Sequence, residues 1–203
     1  MDKYKNLEPS YTRNLLDDGC EAYLWRNLFS DQESQFFFES LLAKTEWQQD
    51  EIKIYGRLLK VPRLSALYAD VGKNYSYSKI ILNPKPWFPE LLEIKERIEA
   101  LTGLEFNSVL LNLYRNGDDS MGWHRDNEPE LGINPAIGSV SFGVTRVFKL
   151  RPYIAKKPVR NIELESGSFL LMKGETQHRY EHSIPKTSLT IAKRINLTFR
   201  KIL

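Results

Sequence analysis

From Phe106 onward the sequence changes from helical to strand-like patterning, and that change constrains the fold more than any other feature. Ser108–Arg115, Ser139–Gly143, Arg146–Leu150, Arg160–Glu165, Ser168–Met172 and Leu189–Ile202 are short runs carrying β-branched or aromatic residues. Gly117-Asp118-Asp119, Gly132 and Gly174 punctuate them as turns. Two helices are expected earlier. Ser30-Asp31-Gln32-Glu33 reads as a capping box ahead of Phe36, Phe37, Leu41 and Leu42, which predicts a helix to about Thr45. A second follows Pro89, with Leu92, Ile94, Ile98 and Leu101 inward and Gly103 as its stop. Residues 1–20 read as an irregular arm. Trp47–Pro89, rich in Tyr, Lys, Gly and Pro, reads as short strands and loops. Helices followed by many short strands predict an α+β, mainly β fold: a sandwich or barrel with the helices packed on one side.

The chain of 203 residues suits one domain with a real core. The N-terminus, Met1-Asp2-Lys3-Tyr4-Lys5-Asn6, is charged and has no signal-peptide stretch, and no apolar run is long enough to span a bilayer. Cys20 stands alone, so no intrachain disulfide can form. A reducing compartment is expected: the cytoplasm, or the nucleus in a eukaryotic cell. The net charge of +3 permits nucleic-acid binding without arguing for it.

All three histidines lie in the strand-rich half. His124-Arg125-Asp126 puts an imidazole and a carboxylate two residues apart, and on an extended backbone they point to the same side. His182 or His178 offers a third ligand from a later segment. Two imidazoles and one carboxylate leave positions open on a metal, the arrangement of non-haem Fe(II) oxygenases. The same cluster also suits zinc. The ending strand discriminates between them. Arg194-Ile195-Asn196-Leu197-Thr198-Phe199-Arg200 alternates strictly, with Arg194, Asn196, Thr198 and Arg200 on one face. The ordinary meaning of alternation is a polar face turned to water. Two arginine forks with Asn and Thr also make a cradle for a dicarboxylate. Asn112 and Tyr114 repeat the spacing in an earlier strand. A zinc site would account for neither Arg194 nor Asn112.

Asn112-Leu113-Tyr114, His124-Arg125-Asp126, His182-Ser183-Ile184-Pro185 and the 194–200 strand together resemble the AlkB-type Fe(II)- and 2-oxoglutarate-dependent dioxygenases, in order and in spacing. The resemblance runs from about Trp47 to the C-terminus and is nearest to the branch acting on duplex DNA. It implies a double-stranded β-helix, a jelly roll, with packed N-terminal helices and a nucleotide-recognition lid in a single domain. Residues 1–46 would be the arm and first helix, 47–90 the lid, and 91–203 the second helix and barrel core. It implies Fe(II) held by His124, Asp126 and His182, and it selects His182 over His178. Arg194 would pair with the far carboxylate of 2-oxoglutarate beside Tyr114, with Asn112, Asn196 and Arg200 completing the cradle and O2 as the other cosubstrate.

In the lid, the resemblance implies that Tyr77 stacks on a flipped base opposite His124, while Tyr75 and Glu128 meet its polar edge. Tyr55, in Ile54-Tyr55-Gly56, would fill the gap left in a duplex, where that branch carries Phe. Arg63 would lie near the orphaned strand. The Arg151–Arg160 loop is shorter than that branch's DNA-gripping segment. The implied activity is oxidative removal of alkyl groups from bases such as 1-methyladenine and 3-methylcytosine, releasing succinate, CO2 and formaldehyde. Alkylated DNA is the expected partner, with duplex favoured over single strands and RNA as a further candidate. The protein would act as a monomer with no membrane association. The competing readings are the same chemistry on single strands or RNA, and a non-catalytic nucleic-acid-binding barrel.

Overall fold

The computed structural model describes residues 13–54, 57–72, 75–77, 80–82 and 84–203. Two sheets face each other. The larger contains β1 (Cys20–Trp25), β12 (Ser168–Gly174), β9 (Ile137–Gly143), β14 (Arg194–Arg200), β7 (Ser108–Tyr114) and β4 (Leu64–Ala69), in that order. The smaller contains β11 (Arg160–Leu164), β10 (Arg146–Pro152), β13 (Tyr180–Ile184) and β8 (Met121–His124), in that order. Strands β7 to β14 thus divide equally between two antiparallel four-stranded faces, the jelly roll that closes most sheet edges against each other. Strands β1 and β4 extend the larger face on either side.

The helices cover the outer face of that larger sheet. Helix α1 (Asp31–Lys44) starts at Ser30, whose side chain accepts from Glu33 N–H while Glu33 Oε2 accepts from Ser30 N–H. Such a reciprocal cap is worth about 1 kcal/mol. Arg97 on α2 (Pro89–Thr102) also donates to Glu33, at 2.6 Å, and so joins the two helices. Helix α2 ends at Gly103, where φ is +69°, a left-handed turn that favours glycine. Phe37 and Leu41 from α1 and Leu91, Ile94 and Ile98 from α2 pack on Val109, Leu111, Phe142, Leu197 and Phe199 of the sheet.

Alternation then decides what the other face holds. In β7, Val109, Leu111 and Leu113 join the helix-side core, so Leu110, Asn112 and Tyr114 point between the sheets. In β14, Ile195, Leu197 and Phe199 go to the helices and Arg194, Asn196, Thr198 and Arg200 go inward. Every residue of both strands is buried. The polar face of the last strand meets a second sheet, not bulk water. The inter-sheet space is also walled by apolar Phe148, Leu150, Leu164, Leu170, Met172 and Ile184.

Several elements differ from the sequence reading. Cys20–Trp25, which begins at the last residue of the irregular arm and has no element in the sequence reading, forms β1 and pairs with β12 from Cys20↔Gly174 to Trp25↔Phe169. Its strand character comes from a partner more than a hundred residues away, which no local pattern reports. Leu64–Ala69 lies within the 47–90 stretch but pairs with β7 as part of the barrel sheet. Among the described residues of that stretch, β2 (Glu51–Ile54) also pairs with β3 (Arg57–Lys60), and β5 (Tyr75–Tyr77) with β6 (Ile80–Leu82), as two separate hairpins. The final strand begins at Arg194, because 187–193 is turn and irregular backbone. Met121–His124 is a strand that the sequence reading did not separate from its loop. Among the described residues no helix is long and apolar enough to cross a membrane.

Candidate active site

His124 ends β8 and pairs directly with His182 of β13 across the smaller sheet, where the register then slips. Asp126 follows in the irregular segment after β8, not on a continued strand as extended spacing suggests. The chain still brings the three together: one ligand atom from each of His124, Asp126 and His182 lies within 4.8 Å of the others. The two imidazole centroids are 4.2 Å apart, and Phe148 stacks on His182 at 5.1 Å. His178 is exposed, and its Nε2 accepts from Asn134 N–H.

The protonation states suit ligation of a cation. His124 Nδ1 lies 2.9 Å from Gly122 O. A carbonyl can only accept, so Nδ1 carries the proton and Nε2 keeps its lone pair. Burial drives both imidazoles toward the neutral form, His182 to about 3, because neighbouring His124 and Arg200 add to the desolvation. Burial alone would raise the Asp126 carboxyl. The Arg200 guanidinium, then the two imidazoles, more than offset that, and its pKa falls below the ordinary carboxylate range. Arg200 Nη2 donates to Asp126 Oδ1 at 2.8 Å.

Beside this triad, between the sheets, lies a pocket lined by Asn112, Tyr114, Ser139, Arg194, Asn196 and Thr198 together with the triad and Arg200. Cross-strand register builds it: Arg194 faces Tyr114 and Asn196 faces Asn112 in the β14–β7 ladder. Arg194 is 1% exposed and sits 5.2 Å from the Tyr114 ring centre. Its Nη2 donates to Ser141 Oγ at 3.0 Å, while Nε and Nη1 are buried with no hydrogen-bond partner among the described residues. Burial lowers its pKa to about 10, which leaves it charged at neutral pH. Asn196 Nδ2 donates to Ser139 Oγ at 2.8 Å, and Thr198 Oγ1 to Asn196 Oδ1 at 3.1 Å. Ser139 and Ser141 were missed in the sequence, although they alternate around Val140 in the same way as Asn112 and Tyr114 do around Leu113.

Arg63 makes its hydrogen bonds within the fold. It is 7% exposed; Nε donates to Asn112 Oδ1 at 2.7 Å and Nη1 faces Ser120 O at 3.4 Å. A buried guanidinium has to be hydrogen-bonded, and here both partners are protein oxygens. Arg200 lies at the Asp126 end of the pocket, not beside Arg194's two open donors. Glu128 is half-buried and precedes the short 3-10 turn Pro129–Leu131. Tyr75 and Tyr77 fall on β5, but their side chains lie outside the described residues, as does Tyr55 altogether.

A jelly roll that gathers two neutral imidazoles and a carboxylate in one pocket with a buried, half-satisfied cation defines a class: oxygenases that bind a metal on one face and keep its other positions for cosubstrates. The sequence profile of the 2OG-Fe(II) oxygenase superfamily matches residues 21–200. DNA oxidative demethylase ALKBH2 of Bos taurus is 39% identical over 186 residues, spanning 87% of this chain and 67% of that protein. The Homo sapiens ALKBH2 is also 39% identical over 186 residues, spanning 87% and 71%. Alpha-ketoglutarate-dependent dioxygenase alkB homolog 3 of Homo sapiens is 40% identical over 184 residues, spanning 84% and 62%. The solved structure of OsALKBH1 matches with a TM-score of 0.64 at 16% identity, covering 94% of this chain and 99% of that one, a likeness of fold. The chain belongs to the 2OG-Fe(II) oxygenase superfamily and is an AlkB-type dioxygenase that uses Fe(II), 2-oxoglutarate and O2.

The residues present fit those groups. Three deprotonated N/O donors suit Fe(II), and the two open donors of Arg194 call for an anion that the protein itself does not provide.

Proposed function

We propose that this enzyme removes small alkyl groups from the ring nitrogens of bases in DNA, with 1-methyladenine and 3-methylcytosine as representative lesions, and so repairs them by direct reversal. The observation that carries the chemistry is that the His124, Asp126 and His182 cluster and the half-satisfied Arg194 line one pocket. The DNA substrate rests on the likeness to proteins named DNA oxidative demethylase, which extends over 87% of the chain.

In this reading His124, Asp126 and His182 hold the iron. Arg194 takes the far carboxylate of 2-oxoglutarate on its Nε and Nη1, with Tyr114 as its platform. Asn112 spends its oxygen on Arg63, which leaves its amide N–H donors for the same anion. Arg200 fixes Asp126 and neutralises it. Bound iron supplies, with O2 and the 2-oxoacid, an oxidant for the N-methyl C–H bond, and the 2-oxoacid leaves as succinate and CO2. The resulting N-hydroxymethyl base loses formaldehyde and regains its original ring nitrogen. The protein's part is to orient and exclude water.

A Watson–Crick-edge methyl is unreachable in a stacked duplex, so the base is flipped out, at least cost where pairing is already broken. Tyr77 and His124 would sandwich the base, with Tyr75 and Glu128 at its polar edge. Both representative lesions are cationic, and Glu128 and the aromatic faces favour a cation by roughly 0.5–2 kcal/mol. Tyr55 would fill the vacated stack, which makes a duplex the favoured substrate over single strands or RNA. The lid role covers the two hairpins of the 47–90 stretch, all within one catalytic domain. The enzyme would act as a monomer where DNA resides, in the cytoplasm or, in a eukaryote, the nucleus.

The test is coupling. Succinate formation from 2-oxoglutarate should rise several-fold when a methylated oligonucleotide is added, with formaldehyde matching the excess. A rate indifferent to the oligonucleotide would remove DNA as the substrate.

A further inference from the structure

Gln177 carries no motif, yet it is 0% exposed and touches the metal-binding segment. It lies on the single turn α3 (Thr176–Arg179), five residues before His182. Its Oε1 accepts from the backbone N–H of Asp126 at 3.0 Å. Among the described residues its Nε2 meets a soft acceptor, Met172 Sδ, at 3.7 Å. Met172 itself lines the pocket.

Asp126 needs such a partner. It is 1% exposed and stands two residues beyond the end of β8, so no strand neighbour receives its N–H. Arg200 fixes only the carboxylate end. An aspartate anchored solely by its carboxylate can still pivot about its backbone. With Gln177 on the main chain and Arg200 on Oδ1, both ends are held.

Gln177 is itself placed rigidly. The preceding Thr176 Oγ1 accepts from Glu21 N–H at 2.9 Å and donates to Lys173 O at 2.6 Å, which ties α3 to β1 and β12. The Asp126 segment is therefore braced against the far edge of the larger sheet through two side chains. The same short turn leads straight into β13 and His182. One glutamine thus sets the spacing between two of the three members of the cluster.

We infer that Gln177 is a positioning residue for the iron site, acting through the Asp126 backbone N–H to hold the carboxylate and His182 in ligating register. The proposal rests on Asp126 and His182 being metal ligands. Partners that orient a ligand in this way change metal affinity by roughly 10- to 100-fold when removed.

The experiment is a titration of metal-free protein with Co(II), followed by its visible absorption, for wild type, Gln177→Met and Asp126→Ala. Gln177→Met keeps length and apolar packing against Met172 but removes the acceptor. Its Kd should rise roughly 10- to 100-fold while the protein remains folded by circular dichroism. A folded Gln177→Met with a Kd within about twofold of wild type would overturn the inference. If Asp126→Ala also bound Co(II) like wild type, the ligand assignment itself would have failed, a different result. Should Gln177→Met not fold, wild type still decides by NMR hydrogen exchange without metal. The Asp126 amide should be strongly protected. Exchange as fast as that of exposed Asn127 would overturn the inference.

Discussion

Arg194 lies directly opposite Tyr114 in the β14–β7 ladder, with its guanidinium carbon 5.2 Å from the centre of the tyrosine ring. Both residues line the pocket that holds the imidazoles, and two of the guanidinium's nitrogens have no partner among the described residues. Arg194→Lys replaces a planar fork by a point charge. Loss of a charged hydrogen bond is worth about 1.5–3 kcal/mol, so the KM for 2-oxoglutarate should rise roughly ten- to a hundredfold. Affinity for DNA, measured by fluorescence anisotropy, should stay at the wild-type value. An unchanged KM would take Arg194 out of the cradle.

The metal cluster makes a sharper separation. His124→Ala, Asp126→Ala and His182→Ala should each abolish turnover, since each deletes one of three converging donors. His178→Ala should retain most activity, because that ring is exposed and bonded to Asn134 instead. Dead His178→Ala beside active His182→Ala would reverse the assignment.

Glu33 links local capping to the acid stability of the whole molecule. Its hydrogen bond to Arg97, with further bonds to Ser30, lowers its pKa to about 2 against the pull of burial. A carboxylate depressed in the folded state stabilises above its unfolded value, near 4.5, and that stabilisation is lost as pH falls toward 2. Glu33→Gln should lower the Tm at neutral pH by about 2–4 °C, the equivalent of about 1 kcal/mol in a chain of this size. Solvent screening keeps the effect modest, because the Glu33 side chain is 40% exposed. The variant's Tm should also vary less than wild type between pH 4.5 and 2. Parallel Tm-versus-pH curves would show that the Arg97 pair contributes nothing to stability.

What was legible in the sequence follows from how far each signal reaches. The α1 capping box and the Gly103 stop are local, and both helices end where their caps fall. Strict alternation in 194–200 divided that strand into two faces, and both faces proved to be buried. The meaning of the polar face depended on the opposing sheet, which alternation cannot report. The same limit hid β1, whose partner is β12, and left β4 inside a stretch read as short strands and loops of a lid. Arg63 was placed by the resemblance alone, and its bond to Asn112, forty-nine positions later, is a contact that no local pattern reports. Gln177 had no signal at all: its role is a side chain meeting a backbone N–H across the fold.

The proposed duplex preference turns on Tyr55. Base–aromatic stacking is worth about 1–3 kcal/mol per base, so Tyr55→Ala should lower activity on a methylated duplex by roughly five- to a hundredfold. The same lesion in a single strand should lose much less, as no gap needs filling. Tyr77→Ala should impair both substrates. Equal losses for Tyr55→Ala on both would make single strands the better description of the substrate. Repeating the comparison at higher salt separates stacking from phosphate contacts, which weaken steeply.

The central claim is that this barrel restores alkylated bases. The most direct measurement incubates the protein with an oligonucleotide carrying a single 1-methyladenine, Fe(II), 2-oxoglutarate and O2, then digests the DNA and weighs the nucleosides by mass spectrometry. Unmodified adenosine nucleoside should replace the methylated one, and only when both Fe(II) and 2-oxoglutarate are present. Methylated base remaining intact while succinate accumulates would contradict the account.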